Sequence, residues 1–285
     1  MLYVSIIIFS ALLYTYYHFR DRVPILMYHR IASVPGDRNA LPEEKFEEQM
    51  RYLEENGFHS ITVDSLQAHL LHGEKVLVHA AIQAHVLHGK RRPKKPVVLT
   101  FDDGYEDNFS AALPILKKYR HVGNIFPIAN WIGRENKWEN FGKAPTRTMD
   151  ERELALWQNE GHYVGSHTMD HPFLSRCGTD RLHDELSESK RFFEKLNGKP
   201  VECLCYPYGD FDRKVMQEAE KCGYKLGLAI FYDVPLWTQD LLALPRIPIP
   251  ARQPMWEFKL KVSRIHLIFI WLRQLERRFK KTFRK

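Results

Sequence analysis

Val97-Val98-Leu99-Thr100-Phe101-Asp102-Asp103-Gly104-Tyr105 is a short, β-branched run after Pro96 that ends in two adjacent carboxylates and a glycine. Such a run reads as a buried strand of a parallel sheet, which places the paired aspartates just past its carboxyl end. Barrels and open α/β sheets carry their chemistry at that end. Two neighbouring carboxylates repel unless each finds a partner, and a metal ion supplies one.

Working outward, the segment Gly165-Ser166-His167-Thr168-Met169-Asp170-His171-Pro172 offers co-ligands. If helical, it would set two imidazoles four residues apart on one face. Asp103, His167 and His171 would then give three protein ligands with positions left for water and substrate, the pattern of a catalytic zinc. The same set suits non-haem Fe(II), although no double-stranded β pattern accompanies it.

Four strand-like runs end in polar or reactive residues: Ile25 to Tyr28 before His29, Val97 to Phe101 before Asp102, His162 to Ser166 before His167, and Val201 to Cys205 before Tyr206. Between them, Glu43 to Asn56, Ser110 to Tyr119, Asp150 to Asn159 and Asp180 to Leu196 have apolar residues at helical spacing. This alternation predicts an α/β fold, a (β/α) barrel whose strand ends converge on one rim. Phe211 to Lys221 reads as a further helix, Leu226 to Phe231 as a strand, and the proline-rich Leu244 to Pro250 as an extended segment.

These residues carry a family resemblance. Thr100-Phe101-Asp102-Asp103-Gly104-Tyr105, His167-Thr168-Met169-Asp170-His171 and Cys205-Tyr206-Pro207-Tyr208-Gly209 resemble, in order, motifs of the polysaccharide deacetylase (NodB-homology) family, carbohydrate esterase family 4. Val23-Pro24-Ile25-Leu26-Met27-Tyr28-His29-Arg30-Ile31 resembles the opening of its poly-N-acetylglucosamine deacetylase-like branch. The likeness runs from about Val23 to Val262. It implies a deformed (β/α) barrel that removes acetyl groups from an acetamido sugar, with Asp103, His167 and His171 holding a divalent metal, zinc for preference. It further implies Asp102 as general base, the backbone N–H of Tyr208 as oxyanion donor, and His29 as the acid in place of a C-terminal Leu-x-x-His, which the chain lacks. The arginine that usually precedes the Pro-Tyr-Gly motif is also missing, and Arg246 is the candidate stand-in. A non-catalytic glycan-binding relative would be expected to have lost Asp102 or a ligand, and none is lost.

The 285 residues, 44% hydrophobic, suit one barrel domain. Net charge is +7, but Arg273 to Lys285 holds seven Lys or Arg against Glu276, leaving the body nearly neutral and nucleic acid unexpected as a partner. Cys177, Cys203, Cys205 and Cys222 form no Cys-x-x-Cys pair, and Cys203 and Cys205, on the same side of one strand, read as buried small hydrophobes. The apolar Leu2 to Phe19, ended by Arg20-Asp21-Arg22, predicts a single N-terminal membrane anchor over 1–22, with the flanking arginines favouring a cytoplasmic catalytic domain. Residues 263–285 continue an apolar stripe opposite basic residues, the pattern of an amphipathic helix on an anionic membrane surface. Between these ends, 23–262 forms the barrel, and the expected substrate is an acetylated amino-sugar glycan, lipid-linked if the ends anchor it. Leu66 to Gly73 and Ile82 to Gly89 repeat one another and predict a duplicated helix and loop outside the barrel.

Overall fold

The computed structural model describes residues 23–72, 95–136, 146–230 and 240–263. The chain opens with β1 (Ile25–Tyr28), then a small ribbon of β2 (Arg30–Ile31) and β3 (Ala40–Leu41), followed by α1 (Glu43–Glu55), β4 (Phe58–Ser60) and α2 (Val63–His72). Next come β5 (Lys95–Asp103), a π-helical turn (Asn108–Ala112) leading into α3 (Leu113–Lys118), β6 (Asn124–Pro127), α4 (Glu151–Asn159) and β7 (Tyr163–Val164). The last third holds α5 (Thr179–Asn197), β8 (Cys203–Cys205), α6 (Arg213–Lys221), β9 (Leu226–Ile230), β10 (Leu244–Pro248) and α7 (Met255–Val262).

The main sheet has the order β7-β6-β5-β1-β10-β9-β8, with β4 along the start of β5, and its paired strands all run parallel. Just past β7, Ser166 bridges to Leu204 of β8, so the curled sheet brings its two edges together there. Successive residues of β1 and β5 serve different cores: Ile25 and Val98 join the cluster that includes Phe126, Cys203, Cys205 and Leu228, whereas Leu26, Leu99 and Phe101 pack on the helix side. Both faces are covered, which is why these strands read as unbroken apolar runs. Outside, α1 buries Phe46, Gln49, Met50 and Leu53, and α5 buries Leu182, Leu186, Ser189 and Phe193, one stripe per helix. Asp150 and Glu153 form a reciprocal capping box that starts α4.

The expected N-terminal membrane anchor and the cytoplasmic-facing localisation built on it are corrected. No helix among the described residues is long and apolar enough to cross a membrane. A span needs about 20 apolar residues, and the 19-residue α5 has charges along its exposed side. Residues 1–22, the second repeat copy and the tail helix over 264–285 lie outside the described residues; the first repeat copy forms the greater part of α2.

Two histidines buried between these layers make stability pH-dependent. The His121 Nε2–H donates to the Met50 carbonyl at 3.1 Å, and His162 Nδ1 accepts from the Gly123 N–H at 2.8 Å. Burial pushes both imidazoles down to about 4 from 6.5. Between those values the unfolded chain binds protons that the folded chain does not, so stability is whole above 6.5 and falls as pH drops towards 4. Each group can contribute up to about 3 kcal/mol to that loss. The urea midpoint should therefore already fall between about pH 6.5 and pH 5, above the usual carboxyl range. A flat midpoint across that interval would show that these rings are not held neutral.

Candidate active site

The carboxyl ends of β1, β5 and β8, and the segment that follows β7, bring the sequence-predicted residues together. Asp102 and Asp103 close β5, His29 follows β1, His167 and His171 follow β7, and Tyr208 lies in the turn after β8. Alternation along β5 sends the two aspartates in different directions. Asp102 meets Arg246 of β10, whose guanidinium donates to both carboxylate oxygens at 2.6 and 2.8 Å and to Thr100 Oγ1 at 3.1 Å. Arg246 is fully buried and Asp102 nearly so. Burial raises the Asp102 carboxyl, but the Arg246 pair, helped by His167 and His29, outweighs it and holds the group well below the usual carboxylate range.

Asp103 turns towards the imidazoles, with its Oδ1 3.6 Å from His167 Nε2 and 3.5 Å from His171 Nε2. These separations exceed a normal hydrogen bond. The His167 Nδ1–H donates to the Cys205 carbonyl at 2.7 Å, which leaves Nε2 as the bare nitrogen facing Asp103. Burial pushes His167 down to about 4 against the pull of Asp102, and burial together with His167 holds His171 well below its ordinary value. The three donor atoms lie within 4.8 Å of one another. Neutral imidazoles and a carboxylate, spaced too widely to bond directly, fit a divalent metal about 2 Å from each.

The histidines do not share a helix, so they meet by another route. Thr168 and His171 adopt φ of 70° and 61° within a tight turn, and the two imidazole rings meet at 4.7 Å. That turn is fastened by Thr168 Oγ1, which accepts the His171 N–H, and by the buried Glu185 of α5, which accepts the N–H groups of Met169 and Asp170. Asp103 at φ 70° and Tyr208 at φ 58° are also left-handed, so four of the five such non-glycine residues among those described surround this site. Left-handed backbone at non-glycine residues is costly and clusters where surrounding contacts fix it for function. Gly104 follows at φ 72°, where a Cβ would come 2.7 Å from the Cβ of Pro127. Only glycine fits that corner.

The half-buried His29 lies close enough to lower the Asp102 carboxyl electrostatically. Its carbonyl accepts from Asn108 Nδ2 at 3.0 Å, and the next two residues are held by Asp107 through Arg30 Nε at 2.9 Å and the Ile31 N–H at 3.0 Å. The exposed Tyr208 ring stacks on Phe173 at 4.2 Å and meets His171 edgewise at 4.4 Å. Sequence reasoning missed four supports: Glu185, Asp107, Asn108 and Cys205. The thiol of Cys205, read only as a small core residue, donates to Asp102 Oδ1 at 3.5 Å. Asp107-Asn108 directly behind the paired aspartates was a usable signal; Glu185 and Cys205 gave none, since both sit at ordinary helix and strand positions.

Comparison with known proteins gives concordant matches. A family model described as polysaccharide deacetylase matches residues 89–227. YxkH of Bacillus subtilis is 29% identical over 228 residues, covering 80% of this chain and 71% of its own. A poly-beta-1,6-N-acetyl-D-glucosamine N-deacetylase of Staphylococcus aureus is 27% identical over 161 residues, 55% of each chain. In fold, the chain is similar to the Streptococcus pyogenes deacetylase PplD solved in complex with acetate, with a TM-score of 0.69 and 23% identity over 85% of this chain and 98% of that one.

Proposed function

The chain belongs to the polysaccharide deacetylase family, hydrolases of amide C–N bonds, and from that premise we propose that this site removes the N-acetyl group from an N-acetylglucosamine-type sugar in a polysaccharide. The observation that carries the reading is the separation of the paired aspartates, Asp103 towards two neutral imidazoles and Asp102 towards a buried arginine.

Asp103, His167 and His171 would hold the divalent metal, zinc for preference. When bound, it polarises the acetyl carbonyl and lowers the pKa of water to about 7. Asp102 takes the proton from the attacking water as the new C–O bond forms. Arg246 keeps that carboxylate ionised and fixed in direction, while Oδ2, which accepts only from the guanidinium, retains a second lone pair for the proton. The backbone N–H of Tyr208 faces the developing oxyanion. As the C–N bond breaks, His29 gives its proton to the leaving nitrogen, and the products are acetate and a free amine.

The experiment is to incubate the chain with N-acetylglucosamine oligomers and measure acetate and primary amine together. Equal amounts of each are expected. Release of neither acetate nor amine by the metal-loaded chain would overturn the reading. The oxygenase alternative fits poorly, because the parallel sheet is not the double-stranded β scaffold that reading called for.

His29→Ala should lower kcat by about 10²–10⁴-fold with little change in KM or metal content, since it removes a proton donor and no ligand. Wild-type turnover in that variant would move the acid elsewhere.

A further inference from the structure

On the outer layer, α5 and α6 bring together a second group of donor side chains. Glu218 lies on α6 and Cys222 caps that helix four residues later, so the two share a face. His183 reaches them from α5, with its Nδ1 2.8 Å from Glu218 Oε1 and 3.8 Å from Cys222 Sγ. One donor atom from each lies within 4.8 Å of the other two. None of the three takes part in the chemistry described above.

We propose that His183, Glu218 and Cys222 form a second divalent-cation site, selective for zinc-class metals, that clips α5 to α6. Tetrahedral zinc places nitrogen or oxygen donors at about 2.0–2.1 Å and sulfur at about 2.3 Å, so donors stand about 3.3–3.6 Å apart. The sulfur-to-nitrogen separation is already close to that range. The nitrogen-to-oxygen pair opens by about 0.5 Å once the proton between them is lost. Binding forms metal bonds to Sγ, Nδ1 and Oε1; the thiol proton goes to solvent, and the imidazole proton leaves Nδ1 for Nε2 by exchange with water. No electron changes hands.

The chemistry of the set is selective. Thiolate, imidazole and carboxylate together favour zinc, cobalt or cadmium over magnesium or calcium. Glu218 is buried and accepts hydrogen bonds from His183 and Lys221. Lys221 sits on the other oxygen, Oε2, at 2.9 Å and leaves Oε1 to the metal. The His183 side chain is 56% exposed, which leaves a fourth position open to water.

The test uses the full chain after chelation and dialysis, and follows iodoacetamide alkylation of Cys222 by peptide mass. Zinc should slow alkylation at least tenfold and magnesium should not. Protection should persist in Asp103→Asn, which removes a ligand of the catalytic centre, and vanish in His183→Gln. Because His183 is a surface residue, that variant keeps the fold, and continued shielding of the buried Cys203 and Cys205 verifies it. Equal alkylation rates with and without zinc, or protection that survives His183→Gln, would overturn the proposal.

Discussion

Asp103→Ala is expected to reduce deacetylation to background and strip the tightly held metal from the catalytic centre. The side chain supplies the only anionic donor of the set it forms with the two imidazoles, both held neutral by burial. Without it, two neutral nitrogens remain to hold a dication in a buried site, and charge neutralisation is lost with the bond. The loss of turnover should exceed about 10³-fold, since activated water and a polarised carbonyl go together. His167→Ala and His171→Ala should follow. Asp102→Asn should behave differently, retaining the metal while kcat falls by about 10²–10⁴-fold, because it removes a base and not a ligand. Metal analysis is best made in a Cys222→Ser background, so that only the catalytic centre is counted. Stoichiometric zinc retained by all three ligand variants would end the assignment.

The second large effect is at Arg246. Arg246→Met should cost about 3–5 kcal/mol of stability, because it leaves the Asp102 carboxylate buried without its counter-charge. It should also change the pH profile. In the native chain Asp102 is held well below the usual range, so its protonation does not limit activity near neutrality. With the guanidinium gone, burial dominates and drives the carboxyl up, so the acid limb of the rate profile should move to higher pH. The sign agrees with linkage: the native pair contributes stability that is whole above the ordinary carboxyl pKa of 3.8 and lost only as pH falls through the depressed value. Adding Asp102→Asn to Arg246→Met should recover part of the lost stability, since no buried charge remains, but none of the activity. Urea unfolding of the three variants measures this directly; Arg246→Met as stable as the native chain would show that the pair is not buried as described.

Much of this was legible in one dimension. The strand Ile25 to Tyr28 was read to the residue, and α1 and α5 differ from expectation by one residue at their ends, because apolar runs and helical stripes are local signals that burial enforces. The π-helical turn at Asn108 was not legible; the spacing of apolar residues beyond it suits an ordinary helix. The turn over 167–171 was not legible either, because an i, i+4 histidine pair suits a helix equally well, whereas Glu185, a distant side chain, fixes the actual backbone.

By itself, then, the sequence determined the parallel α/β architecture and singled out Asp102, Asp103, His167 and His171 as candidates, since strand periodicity and motif chemistry are properties of neighbouring residues. Which aspartate meets Arg246, 144 positions away from Asp102, was decided only when β10 packed beside β1 and β1 beside β5. The tautomer of His167 was likewise decided by a carbonyl on β8, the thiol contact to Asp102 by the same residue, and the Glu218–Cys222–His183 cluster by the packing of α5 on α6. Each depends on side chains that the chain keeps far apart and that only burial of the shared core brings within hydrogen-bonding distance.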